Sequence, residues 1–259
     1  MNLPKITPQQ QALLRQLYNY RYLERSQIQS LLGHTDKRRI SAWLKDLREK
    51  HYIDWIYNPN DFIQKSRPAI YYLGLNGIRY LRTLNEYPAN ELRKRYKDAT
   101  RQPDFIAKCV LVASCSTTLQ AQNSDKLQYT CVTESDYLDP ANDYHFLNEL
   151  KPHLYFTKQE DGIITNYLLE IFNTTIPRYM VKKRLKDYLA FVTNGDWEQA
   201  MDTQPPFMRF VCPNTTELIY VKRRLRKSLE DENIEVNAKI VLAEKIKEHG
   251  IIGNVWEEI

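Results

Sequence analysis

The sequence predicts a mixed α+β chain in two unlike parts: a small helix-rich module with a β-hairpin, then an α/β domain. Three observations predict it. Helical periodicity fills most of the first hundred residues and is interrupted once by alternating apolar residues. Beyond residue 103, strand-like and helix-like stretches alternate, the pattern of helices packed on a sheet. The charge also divides: residues 1–100 carry 18 Lys and Arg against 9 Asp and Glu, while the remainder holds 19 against 23. A basic first part on a slightly acidic second part points to a polyanionic partner for the first.

The elements follow in order. Thr7-Pro8 is a cap residue followed by proline at a first helical position, and Leu13, Leu14, Leu17 and Tyr18 recur at helical spacing, so residues 7–19 form an amphipathic helix. A second helix spans Arg25 to Leu32, with Ile28, Leu31 and Leu32 on one face, and Gly33 ends it. Thr35 is placed to cap a third helix running to Lys50. Ile53, Trp55 and Tyr57 alternate as a half-buried strand does. Asn58-Pro59-Asn60-Asp61 marks a turn, and a loop with Lys65, Ser66, Arg67 and Pro68 leads to a return strand, Ala69 to Leu73. Asn76-Gly77 opens a further helix to Leu84. Helix, helix, helix, hairpin, helix is the order of a winged helix-turn-helix, here residues 1–85. Residues 86–102, with many cations and no clear apolar face, read as a basic connector, partly helical and solvated; a phosphate-contacting arm is the minority reading.

The α/β domain takes 103–259. Phe105 to Gln120 reads as a buried helix and Leu127 to Thr133 as a strand. Two strands flank a turn at Glu160-Asp161-Gly162, a helix spans Pro177 to Val192, and a strand spans Phe207 to Cys212. A helix from Thr215 to Leu229, a strand from Lys239 to Leu242 and a short helix from Ala243 to His249, stopped by Gly250, complete it.

The third helix of the first part carries the clearest functional signal. Ile40, Trp43, Leu44 and Leu47 share one side, and Arg38, Ser41, Lys45 and Arg48 fall on the other. An apolar side packed on the first two helices leaves the cationic side free to enter a DNA major groove, about 12 Å wide. In that geometry Lys37, Arg38 and Ser41 lie nearest the bases, with Arg39 also near the N-terminal end, while Lys45 and Arg48 meet phosphates. Lys65 and Arg67 sit on the wing. Double-stranded DNA is therefore the expected partner. A solvated polar face is the plain alternative, and a protein-interaction adaptor is another.

Other classes lose support. No stretch approaches the roughly 20 apolar residues that cross a bilayer, and the N-terminus lacks a signal-peptide core, so the expected location is cytoplasmic, without membrane association. Cys109, Cys115, Cys131 and Cys212 form no C-x-x-C pair and read as reduced thiols. A glycine-rich phosphate loop and a G-x-S-x-G turn are both missing, so no nucleotide cofactor is expected. A homodimer fits a winged helix, although no long heptad runs through the chain. Helical basic clusters recur at Arg178, Lys182, Lys183, Arg184 and Lys186 and at Lys222, Arg223, Arg224, Arg226 and Lys227; solvated faces explain them most simply, a second DNA or partner surface being the alternative.

The N-terminal module together with "LKPHLYF", "YLLEIFNTT", "KKRLKDYLAFVTNGDW" and "GIIGNVW" resembles the replication-relaxation family, in matching order over nearly the whole chain. The resemblance implies a protein of bacterial plasmids and mobile elements, acting in replication, mobilisation or transcriptional control. It also implies a second domain like a divergent restriction endonuclease, with Pro-Asp on one strand, Glu-x-Asp on the next, and a helical Lys beside L-x-x-Y. In such a site two carboxylates hold Mg²⁺ against a phosphodiester. Here Pro152 precedes His153, Glu170 is followed by Phe172 in place of the second carboxylate, and Arg184 takes the Lys position. The domain is therefore read as a degenerate, inactive nuclease-like fold without metal. Were it active, as a nuclease or nicking relaxase, Glu134, His153, Glu170 and Arg184 would be the candidates, with Asp136 near Glu134 and Mg²⁺ as cofactor. Otherwise Glu170 pairs with Arg184 or Lys183. One of the 18 tyrosines acting as a relaxase nucleophile has no His-rich metal cluster to support it.

Overall fold

The computed structural model describes residues 3–57, 60 and 66–259. The chain divides into two compact units, 1–113 and 114–259.

The first unit follows the predicted order. Helix α1 (Pro8–Tyr20) starts at a capping box in which Thr7 and Gln10 exchange side-chain and backbone hydrogen bonds. Helix α2 spans Arg25–Leu31 and α3 Lys37–Glu49. The cap of α3 is Asp36 and not Thr35: its carboxylate accepts from the amides of Arg38 and Arg39 at 2.8 and 3.3 Å. A carboxylate there also faces the positive end of the helix dipole, which a threonine hydroxyl does not match. Leu13, Leu14, Leu17, Ile28, Ile40 and Leu47 are wholly excluded from solvent and form the trihelical core. Gln10 on α1 donates to Asp46 on α3 at 2.6 Å, and Lys50 holds the same carboxylate at 2.8 Å.

Strands β2 (Ile53–Ile56) and β3 (Ile70–Leu73) pair antiparallel. A two-residue strand, β1 (Leu23–Glu24), pairs with the other edge of β3, giving the order β1-β3-β2. Two residues show no alternation, so β1 leaves no trace in the sequence. Of the predicted turn at 58–61, only Asn60 lies within the described residues; Lys65 lies outside them. Helix α4 (Leu75–Thr83) begins at Gly74. Its Gly77 is required by close approach: a Cβ there would lie 2.2 Å from the Tyr52 carbonyl oxygen.

Residues 86–102 do not form a solvated connector. They fold into α5 (Ala89–Arg95) and a 3-10 turn (Asp98–Thr100), and Leu92, Arg95 and Asp98 are buried. Arg95 donates to the Tyr18 carbonyl at 2.9 Å, and Tyr22 donates to the Asp98 carbonyl at 2.7 Å. Charged residues made the segment look solvated, yet Arg95 turns inward and Arg21 and Arg101 approach the buried Asp98. The unit boundary falls within α6 (Pro103–Gln120).

The second unit is built on a six-stranded sheet: β4 (Leu127–Thr133), β5 (Leu154–Glu160), β6 (Ile163–Ile171), β7 (Phe207–Cys212), β8 (Ala238–Leu242) and β9 (Glu257–Glu258), hydrogen-bonded in that order. The β4–β5 and β5–β6 pairs are antiparallel, β6–β7 and β7–β8 parallel, and β8–β9 antiparallel. Helices α8 (Arg178–Thr193) and α9 (Asp196–Met201) follow β6, and α10 (Thr215–Glu232) links β7 to β8. The one-turn α7 (Glu134–Tyr137) follows β4, and α11 (Ala243–His249) follows β8. Val132, Tyr155, Leu168, Met208, Phe210 and Ile240 on the sheet pack with Val181, Leu185, Tyr188, Val221 and Leu225 of α8 and α10 in one core. The predicted strands and long helices appear within a few residues of their predicted bounds, and β9, α7 and α9 are additional. The class is mixed helix and sheet, as predicted.

Candidate nucleic-acid interface and the buried carboxylate of the second unit

Helix α3 is amphipathic because its apolar residues fall three and four apart. Ile40, Leu44 and Leu47 are buried, and Trp43 is half-buried against His34, edge to face at 5.1 Å. Lys37, Arg38, Arg39, Ser41 and Lys45 all lie exposed. Ser41 donates its hydroxyl proton to the Lys37 carbonyl at 3.0 Å, leaving its oxygen lone pairs outward. Lys45 approaches Glu49 at 3.8 Å, both largely exposed, which contributes little.

Arg48 sits differently from the others. It is half-buried, and its guanidinium lies 3.3 Å from the centroid of the Trp55 ring on β2. This cation–π contact pins the strand pair to α3. An open groove of about 560 Å³, lined by Ser41, Lys45, Arg48, Trp55 and Tyr71, runs between α3 and those strands. Arg67, just before β3, is exposed. Lys37, Arg38, Arg39, Ser41 and Lys45 thus share one solvent-facing helix surface, with Arg48 at its inner border.

In the second unit, sheet register brings three of the four catalytic candidates together. His153 immediately precedes β5 and its amide donates to the Leu169 carbonyl at 2.9 Å, so it sits beside Glu170 on β6. Glu170 is 3% exposed. Arg184 on α8 grips it with two parallel bonds, Nε to Oε1 at 3.0 Å and Nη2 to Oε2 at 2.9 Å. The Tyr188 hydroxyl donates to Oε2 at 2.9 Å. The same guanidinium donates to the carbonyls of Leu150 and Lys151, the latter at 2.6 Å. Lys183, the other proposed partner, is exposed.

His153 Nδ1 lies 3.0 Å from the Ile171 amide nitrogen and 3.3 Å from Glu170 Oε2. One nitrogen cannot accept the amide proton and also donate to the carboxylate. The shorter contact makes Nδ1 the acceptor, leaving the ion pair to Arg184. Burial pushes the Glu170 carboxyl up, but the Arg184 guanidinium pulls it further down, and the net shift is downward. Burial and the Glu170 charge together raise the Tyr188 phenol well above its ordinary value.

The remaining candidates stay apart from this cluster. Glu134 is exposed. Asp136 is spent on its own helix cap, accepting from the Thr133 amide at 2.6 Å and hydroxyl at 2.9 Å. Phe172 is buried and stacks on Phe210 at 6.1 Å. A hard divalent ion wants six or more oxygens. Glu170 has committed its oxygens to Arg184 and Tyr188, and among the described residues no group of three His, Cys, Asp or Glu could hold a metal. The donor set does not fit Mg²⁺. The thiols of Cys115, Cys131 and Cys212 are each pushed up to about 12 by burial. No described helix is long and apolar enough to cross a membrane.

The replication-relaxation family model matches residues 14–205, well over half of the chain. The chain belongs to the replication-relaxation family. Among curated proteins none matches. Of solved structures, restriction endonuclease FokI is similar at 12% identity, over 93% of this chain and 43% of that one, with a TM-score of 0.32. FokI bound to DNA is similar at 11% identity, over 93% and 44%, with a TM-score of 0.28. The chain thus spans less than half the length of FokI, and TM-scores this low say nothing about chemistry.

Proposed function

We propose that this replication-relaxation protein binds duplex DNA through α3, with the first unit acting as a winged helix-turn-helix. The carrying observation is the exposed row Lys37, Arg38, Arg39, Ser41 and Lys45 on a helix whose opposite face is sealed into a core. A solvated face alone would not need the strand pair held beside it by Arg48 on Trp55, with a groove left between. Lys37, Arg38 and Arg39 face base edges, Arg being suited to O6 and N7 of guanine, and Lys45 meets phosphate. Arg48 positions the strands and reaches phosphate only with its outer edge. Arg67, and Lys65 beside it in sequence, extend the contact along the backbone.

The second unit serves as a scaffold without nuclease chemistry. The support is the pairing of Glu170: its charge is met by the Arg184 fork, both its oxygens accept hydrogen bonds, and among the described residues no second carboxylate joins it to complete a metal site. The setting is replication, mobilisation or transcriptional control of a plasmid or mobile element.

Binding of duplex DNA by the full chain tests the reading. Arg38→Ala with Lys45→Ala should weaken binding and flatten its dependence on salt by about 0.9 per lost phosphate contact in the slope of log affinity against log salt. Unchanged affinity would remove α3 from the interface. Supercoiled plasmid incubated with Mg²⁺ or Mn²⁺ should stay intact; nicking abolished by Glu170→Gln would overturn the scaffold assignment.

A further inference from the structure

Two arginines from different helices converge on one ring in the second unit. Helices α8 and α10 pack side by side over the same face of the sheet. The Tyr220 hydroxyl of α10 donates to the Arg178 carbonyl at 3.2 Å. The guanidiniums of Arg178 and Arg224 lie 4.9 and 5.6 Å from the Tyr220 ring centroid. Around this pair α8 exposes Lys182, Lys183 and Lys186, and α10 exposes Arg223, Arg226 and Lys227. Among the described residues none of these eight cations makes an ion pair. The paired cations of the two helices are Arg184, turned inward to Glu170, and Lys222, turned to Glu257 on β9 at 3.2 Å.

That distribution separates the face from an ordinary solvated one. Some helical cations elsewhere are neutralised locally, as Lys50 is by Asp46 and Lys94 by Glu91. Here Arg178 of α8 and Arg224 of α10 bring like charges to one ring, and further cations without ion pairs among the described residues lie exposed on both helices. Their repulsion is relieved by condensed anions, and a polymer of regularly spaced phosphates does this best, because each contact releases counterions. Tyr179, 73% exposed on the same helix, adds a flat apolar surface beside the cations.

We infer that the α8–α10 face binds the phosphate backbone of DNA, as a contact separate from α3. The inference goes beyond the α3 reading and does not depend on it. Phosphate is chosen because eight exposed cations on two adjacent helices lack an ion-pair partner among the described residues. Contact of this kind positions the chain on DNA and reads no sequence.

The test uses the full-length protein and a fluorescent duplex of random sequence, titrated over a range of salt. Three proteins are compared: wild type, Arg178→Ala with Lys182→Ala, Arg224→Ala and Lys227→Ala, and the α3 variant Arg38→Ala with Lys45→Ala. The fourfold variant should lose about 0.9 in salt slope per contact, up to roughly 3.6. In wild type, the duplex should shield Lys182, Lys183 and Lys186 from acetylation, a readout that needs no variant to fold. A wild-type slope in a fourfold variant that melts normally, or equal acetylation with and without duplex, overturns the inference. A slope lost only in the α3 variant leaves the α3 reading standing and sinks this one; a slope lost only in the fourfold variant does the reverse.

Discussion

Glu170 depends on the shape of the Arg184 side chain. A lysine offers a single nitrogen on a flexible stem, whereas the Arg184 fork reaches both Glu170 oxygens and two loop carbonyls at once. One of those carbonyls belongs to Lys151, whose backbone is left-handed at φ 51°, so the fork also holds a strained turn before β5. Arg184→Lys should therefore cost about 2 kcal/mol in urea unfolding, because the lysine cannot make the bidentate pair. Glu170→Gln should cost about 3 kcal/mol, since it leaves the guanidinium buried without its counter-charge. The pH dependence follows from the downward shift of Glu170. Its stabilisation is complete above the unfolded carboxyl value near 4.3 and drains away as pH falls below that toward the folded value. In Glu170→Gln that part of the acid destabilisation should be missing, which unfolding curves between neutral and acid pH will reveal.

The first unit depends on two devices at the ends of its helices. Asp36→Ala removes the acceptor for two amides at the start of α3 and should cost about 1 kcal/mol by thermal melting, with weaker DNA binding as the first turn frays. Gly77→Ala drives a methyl into the Tyr52 carbonyl and should cost about 2 kcal/mol or more. Sequence periodicity revealed the long elements because their buried faces repeat: Leu13, Leu14 and Leu17 on α1, Ile40, Leu44 and Leu47 on α3. It could not reveal β1, whose two residues carry no pattern, or the Asp36 cap, where two adjacent residues both qualify. Residues 86–102 misled for another reason. Burial of Arg95 and Asp98 rests on partners from α1 and the residues just after it, far away in sequence. In the second unit the Glu170–Arg184 pair was legible as a strand-end carboxylate with a cation one element later. A hydrogen-bonded structural role for His153 was legible too, but its partner was not, because a ring nitrogen accepting the Ile171 amide is a matter of register alone.

At the scale of the whole molecule, charge and not composition carries the functional argument. The chain is only +5 overall, yet its first hundred residues hold twice as many cations as anions. Within the acidic remainder, most of the exposed cations without an ion pair among the described residues lie on α8 and α10. Such segregation has little effect on folding and a large effect on association with polyanions. The measurement that tests this most directly is the salt dependence of duplex DNA binding by the intact protein. Affinity should fall steeply and linearly on a log–log plot as salt rises, and the slope should shrink when Arg38 and Lys45 are replaced by alanine. Binding that ignores salt, or no binding at low salt by a protein with a normal melting curve, would contradict it.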